Sequence, residues 1–323
     1  MEFSMKDSLR ASVEFASGGK NTVLYDDYGN PSVMVIIPKF KKENIDPALG
    51  TGTHEAFIVH GREVPEIFYP KYTNVILDEG CACSLPGVDP KVEINFDDAR
   101  NACVKKGKGW HMTSNAEWAA VALWSFKNGT VPHGNNNYGV DISYPHETGV
   151  DAGNTYDQGR IARVKTGSGP VTWSHDHTLY GVYDMNGNVW DWISGMKLIN
   201  GKIYVVGEDG VPMNNFDTTE SENVAGAGWI ASGINYSQKA FDDISGTFPA
   251  WMKSLAMAPY KATGSGDYVW VSTEGERIPA SWWGLGQPGR RRSVQPVPGP
   301  PTLDRVLVCG FPRSLYSSVN WSL

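Results

Sequence analysis

The first apolar run of the chain, Val33-Met34-Val35-Ile36-Ile37-Pro38, is β-branched, follows Asn30-Pro31 and closes on a proline, which predicts a buried strand. A short polar lead precedes it. Residues 39–53 are polar and punctuated by Gly and Pro, so a loop is expected there. Residues 56–69 read as two short strands around a turn at Gly61. The period then changes. Residues 95–103 begin on an Asn and place apolar side chains at helical spacing, predicting a short helix stopped near Gly107. A second helix is clearer: Thr113 or Ser114 caps it, Glu117 gives nearly a capping box, and Trp118, Val121, Ala122 and Phe126 share one face until Asn128-Gly129.

Residues 129–181 are dominated by Gly, Asn, Asp, His and Tyr and show little periodicity. A loop that long in a compact domain is either functional or ordered by side-chain networks. Residues 181–193 alternate and are rich in Trp, and Lys202-Ile203-Tyr204-Val205-Val206 reads as a strand after an Asn200-Gly201 turn. The chain divides into a strand-containing segment (1–50), a main domain (51–280) and a tail (281–323).

Composition narrows the class. The 323 residues include 36 Gly and 12 Trp, which suits a loop-rich domain held by aromatic anchors. A net charge of −7 gives no overall footprint for nucleic acid or anionic membranes. No apolar run is long enough to span a bilayer, and the start lacks a secretory apolar core. Synthesis in the cytoplasm is therefore expected, with display on a virion or cell surface still open. Cys81, Cys83, Cys103 and Cys309 are expected to be reduced, because Cys81-x-Cys83 is too close for a relaxed disulfide and no CxxC pair suggests zinc. His175-Asp176-His177 lacks a convincing third ligand and reads as a loop feature.

The most specific string is Asp184-Met185-Asn186-Gly187-Asn188-Val189-Trp190-Asp191-Trp192. Its Asn186-Gly187-Asn188 turn leads into a strand with Trp190 and Trp192 on one face. Asn188 and Asp191 could hold a hard cation such as Ca²⁺ with backbone carbonyls, and this is the one cofactor the residues suggest. The string resembles the D-M-x-G-N-V-W-E-W signature of the formylglycine-generating-enzyme family. Trp110-His111-Met112-Thr113-Ser114-Asn115-Ala116-Glu117-Trp118 resembles its upstream L-P-T-x-A-E-W helix start, in the expected order. Glu117, Trp118, Asp184, Asn186, Gly187, Asn188, Trp190 and Trp192 carry the likeness. Asn135-Asn136-Asn137-Tyr138-Gly139 looks more like the variable proteins of diversity-generating retroelements. The resemblance covers about residues 55–280. It implies an α+β, C-type-lectin-like fold with two short helices, small twisted sheets and extensive ordered loops.

The resemblance also bears on activity. The family's oxidases use a cysteine pair in the C-terminal core, where this chain has only Cys309, so no catalytic residue carries over. The implied role is recognition of a cell-surface protein or glycan by a phage tail or displayed protein, in which homo-oligomers are common. The alternatives are a formylglycine-generating oxidase and a virion component without a ligand. In variable proteins the C-terminal segment carries the binding surface, which places it here at Trp282, Trp283, Leu285, Gln287, Arg290, Gln295, Asp304 and Arg305.

That segment departs from the family. Arg290-Arg291-Arg292 is followed by Pro296, Pro298, Pro300 and Pro301, which predicts an extended, poorly packed tail. The codons possible for Gly310-Phe311-Pro312-Arg313-Ser314-Leu315, read one base later, can spell Gly-Phe-Arg-Ala-Ala-Phe. Those for Trp282 to Pro288 can spell Gly-Gly-Asp-Trp-Gly-Asn-Arg. Both are family endings, so a one-base deletion near Ala280-Ser281 is the reading of the tail. The alternative is a natural tail whose arginines bind an anionic partner.

Overall fold

In the computed structural model the described residues are 5–153, 155–156, 159–199, 202–208, 211–212, 224–225, 238–240, 247–261, 268–270, 276–277, 280–281, 305–307 and 309–312. The centre is a five-stranded antiparallel sheet in the spatial order Asn21–Tyr25, Pro31–Pro38, Glu66–Pro70, Cys309–Pro312, His111–Met112. The remaining sheets have two to four strands.

Side chains of the two central strands alternate between two cores. Val35, Ile37, Ile67 and Tyr69 pack with Ala116, Ala120 and Val121 of the helix Asn115–Asn128. Met34 and Phe68 face the other way, onto Ala99, Ala102 and Cys103 of the helix Phe96–Val104. Helices thus cover both faces, which is why residues 33–37 are a continuous apolar run and not an alternating one. The register sets Ile36 opposite Phe68 and Val35 opposite Tyr69.

Both expected helices form on their caps. Asn95 accepts from Asp98 N, and Ser114 and Glu117 form a reciprocal capping box. Gly129 closes the longer helix in the left-handed conformation at φ 69°. Several expectations need correction. The polar lead is a helix, Met5–Ser17, outside the span of the family resemblance. Residues 39–53 hold two helical turns, Lys42–Ile45 and Pro47–Leu49, the second capped by Asp46. The segment 1–50 contributes Pro31–Pro38, which pairs with Glu66–Pro70 of the next segment. The tail is not wholly unpaired: Arg305–Leu307 runs parallel to Trp190–Trp192, and Cys309–Pro312 lies inside the main sheet. Lys202–Val205 is a strand, paired with Met196–Ile199, while Asn200-Gly201 lies outside the described residues.

Candidate functional site

The two motif strings meet in space. Asn115 N donates to Ser194 O at 2.9 Å, Ser194 N donates to Thr113 O at 2.9 Å, and Ser194 Oγ donates to Met112 O at 2.9 Å. The helix start is therefore docked on the end of the Trp-Asp-Trp strand. Beside it, His111 Nε2 lies 3.0 and 3.1 Å from the Glu117 carboxylate oxygens, and Ser114 N donates to the same carboxylate. All three residues are buried.

The turn is locked against a second loop. Asn188 N donates to Asn135 O at 2.8 Å, and Gly139 N donates to Asn135 Oδ1 at 2.6 Å. Gly187 sits at φ +76°, and a Cβ there would collide with the Asn135 carbonyl. A Cβ on Gly134 would collide with the Asn186 carbonyl in turn. Glycine is required at both because two backbones touch. Asp141, fully buried, anchors the second loop by accepting from Gly134 N, Ser143 N and Tyr144 N.

Asn188 is occupied: its Oδ1 accepts from Val164 N at 2.9 Å and Asn135 Nδ2 at 3.2 Å, and its Nδ2 donates to Val164 O at 3.0 Å. It works as a clamp between loops, not as a free oxygen ligand. The oxygens without a donor are elsewhere. Asp184 Oδ1, Asn186 Oδ1 and Asp191 Oδ1 are buried with no hydrogen-bond partner among the described residues. Asp184 keeps one bond, from Gly167 N at 2.7 Å to Oδ2, and Asn186 Nδ2 donates to Pro132 O at 2.8 Å. Burial pushes the Asp184 carboxyl up to about 7 against the Gly167 hydrogen bond. Burial and then the neighbouring Asp184 charge raise Asp191 well above the carboxylate range. Two buried carboxyls, one of which raises the other, are a costly arrangement unless something positive joins them.

The strand Trp190–Trp192 is covered more completely than alternation suggested. Val189, Asp191 and Trp192 are all buried, and Trp190 is half-buried. Trp192 Nε1 donates to Ile94 O at 2.9 Å, and its ring meets Phe96 edge-on. Trp118 packs on the larger core. In the His-Asp-His string, His175 is buried with Nδ1 accepting from Val182 N at 2.8 Å, while Asp176 binds Thr178.

Of the expected binding surface, Trp282, Trp283, Leu285, Gln287, Arg290, Gln295 and Asp304 lie outside the described residues; Arg305 is placed by its backbone, opposite Trp190. The cysteines differ from the expected fully reduced set. Cys81 and Cys83 are free and buried, but Cys103 is disulfide-bonded. Burial, aided by Asp26, pushes the Cys81 thiol up to about 11. Burial also raises Cys83, against the opposing pull of Lys106.

A model of the sulfatase-modifying factor enzyme 1-like domain matches residues 70–248. A curated relative from Bos taurus, described as inactive C-alpha-formylglycine-generating enzyme 2, is 26% identical over 129 residues. That alignment covers 38% of this chain and 40% of the relative, so the chain spans about two fifths of the relative's length. The matched residues hold the capped helix, the interlocked loops and the Trp-Asp-Trp strand, and the chain belongs to the sulfatase-modifying factor enzyme 1-like domain family.

Proposed function

We propose that this chain is a ligand-binding member of its family that does not oxidise cysteine. The observation that carries the reading is the state of the thiols. Oxidase chemistry of the formylglycine-generating kind needs a thiolate nucleophile with a partner. Cys81 and Cys83 are fully buried and held as thiols, and Cys103 is already bonded. The description of the bovine relative as inactive supports the same reading. In its finer form, the chain is a C-type-lectin-like variable protein of a diversity-generating retroelement, displayed on a phage tail or cell surface. The segment from Trp282 to Arg305 then meets a cell-surface protein or glycan. Membership of an enzymatic family favours the rival oxidase. Incubating the purified protein with a cysteine-containing peptide in air, and reading the peptide by mass, separates the two. Unchanged peptide together with saturable binding to intact cells is expected, whereas aldehyde formed in step with enzyme concentration overturns the proposal.

A hard cation belongs to the same reading, with Asp184 and Asp191 as its carboxylates in place of Asn188 and Asp191. The orphaned oxygens of Asp184, Asn186 and Asp191 support it, because Ca²⁺ takes oxygen ligands of this kind. Bound cation would offset the charge that Asp184 places on Asp191 and brace the Asn186-Gly187-Asn188 turn. Calcium is expected to raise the melting temperature of the wild-type protein in a saturable way. Asp191→Asn should lose that rise, and an equal rise in both proteins would move the cation elsewhere.

A further inference from the structure

His133 and His177 come from opposite ends of the long loop region, and their rings lie 5.8 Å apart at 66°. The protein fixes the tautomer of each. His133 Nδ1 is 2.9 Å from Glu147 Oε2, an acceptor, so this nitrogen carries the hydrogen and Nε2 carries the lone pair. His177 Nε2 is 3.2 Å from the Val131 carbonyl oxygen, so Nδ1 is its lone-pair nitrogen. His133 Nε2 and His177 Nδ1 have no hydrogen bond among the described residues. Imidazoles that ligate metals donate their other ring hydrogen to a carboxylate or a backbone carbonyl, and this pair shows one of each. The support extends outward: Glu147 Oε2 also accepts from Trp173 Nε1 at 2.9 Å, and Tyr144 stacks on the His133 ring at 3.9 Å and 8°. Tyr144 thus covers a face of the His133 ring, not the edge at which a metal binds.

We propose that His133 and His177 form a two-imidazole site for a divalent transition-metal ion such as Zn²⁺ or Cu²⁺. Imidazole nitrogen favours these ions over calcium. Metal–nitrogen bonds of about 2 Å at a tetrahedral centre put two ring centres roughly 5 Å apart, close to the 5.8 Å separation of this pair. No group of three His, Cys, Asp or Glu side chains suited to a metal occurs among the described residues. The ion therefore keeps open positions, available to water or to an oxygen of a bound molecule. Glu147 is a positioning residue in this arrangement. Tyr144 is 40% exposed and forms a wall beside the open side.

Titration of the full chain with Zn²⁺ in the presence of saturating Ca²⁺ tests the site, and Cu²⁺ spin-echo spectroscopy on the wild-type protein counts coordinated imidazoles without any variant. One saturable site and two imidazoles are expected. His133→Gln and His177→Gln should each abolish it, Glu147→Gln should weaken it by about 10–100-fold, and His146→Ala should leave it unchanged. A spectrum with one imidazole or none overturns the proposal, as does an affinity that follows His146 and ignores His133 and His177.

Discussion

His175 shows how one buried side chain sets a pH limit. Its ring packs beside Trp124 and accepts a hydrogen bond from Val182 N, so the folded protein holds it neutral. Burial lowers its pKa from 6.5 to about 4, with Asp176 opposing the shift. The unfolded chain therefore binds more protons between those values, and stability falls as pH drops from 6.5 through 4. Above 6.5 this residue contributes no pH dependence. Denaturant midpoints measured across that window should decline toward acid, and His175→Gln should flatten the decline. Lys106 is the opposite kind of residue, fully buried and tolerated through polar contacts. Its Nζ donates to Ser32 Oγ at 2.7 Å and Ala82 O at 2.5 Å and sits 3.8 Å from the Trp110 ring centre. The full burial of Asp184 was hidden at this scale, because acidic turn residues read as backbone partners. Its one hydrogen-bond donor, Gly167 N, belongs to a loop without periodicity.

Among the elements, those whose stop and start signals are local were legible in the sequence. The helix Asn115–Asn128 has its whole N-terminal signal in Ser114 and Glu117 and its stop in Gly129. Ser114→Ala removes the acceptor for Glu117 N, and a loss of about 1 kcal/mol is expected in equilibrium unfolding. Ser114→Asp should retain most of it. The helix Met5–Ser17 places Leu9, Val13 and Ala16 at helical spacing, a stripe diluted by polar neighbours, so the segment reads as a polar lead. Leu9 is 44% and Phe15 91% exposed. The turns at residues 42–49 are too short for periodicity. Their support is tertiary, with Leu49 packing on Leu123 of the long helix. The loop between residues 129 and 181 was expected to be functional or ordered by side-chain networks, and Asp141, Asn135 and Asn188 supply side-chain hydrogen bonds across it.

At the scale of the whole molecule, the cytoplasmic synthesis and surface display remain part of the proposed function, and no helix among the described residues is long and apolar enough to cross a membrane. The tail is where sequence and family diverge most. Resequencing across the codons for Arg277 to Leu323 should find a missing base that restores a Gly-Gly-x-Trp … Gly-Phe-Arg ending. An intact frame would make the arginine and proline residues of the tail native features and refute the deletion. The place of Cys309–Pro312 has a further consequence for biogenesis. Its neighbours, Glu66–Pro70 and His111–Met112, leave the ribosome some two hundred residues earlier and flank an open slot until it arrives. Unfilled strand edges invite pairing with other chains. The nascent protein is thus prone to aggregate until Cys309–Pro312 has been translated.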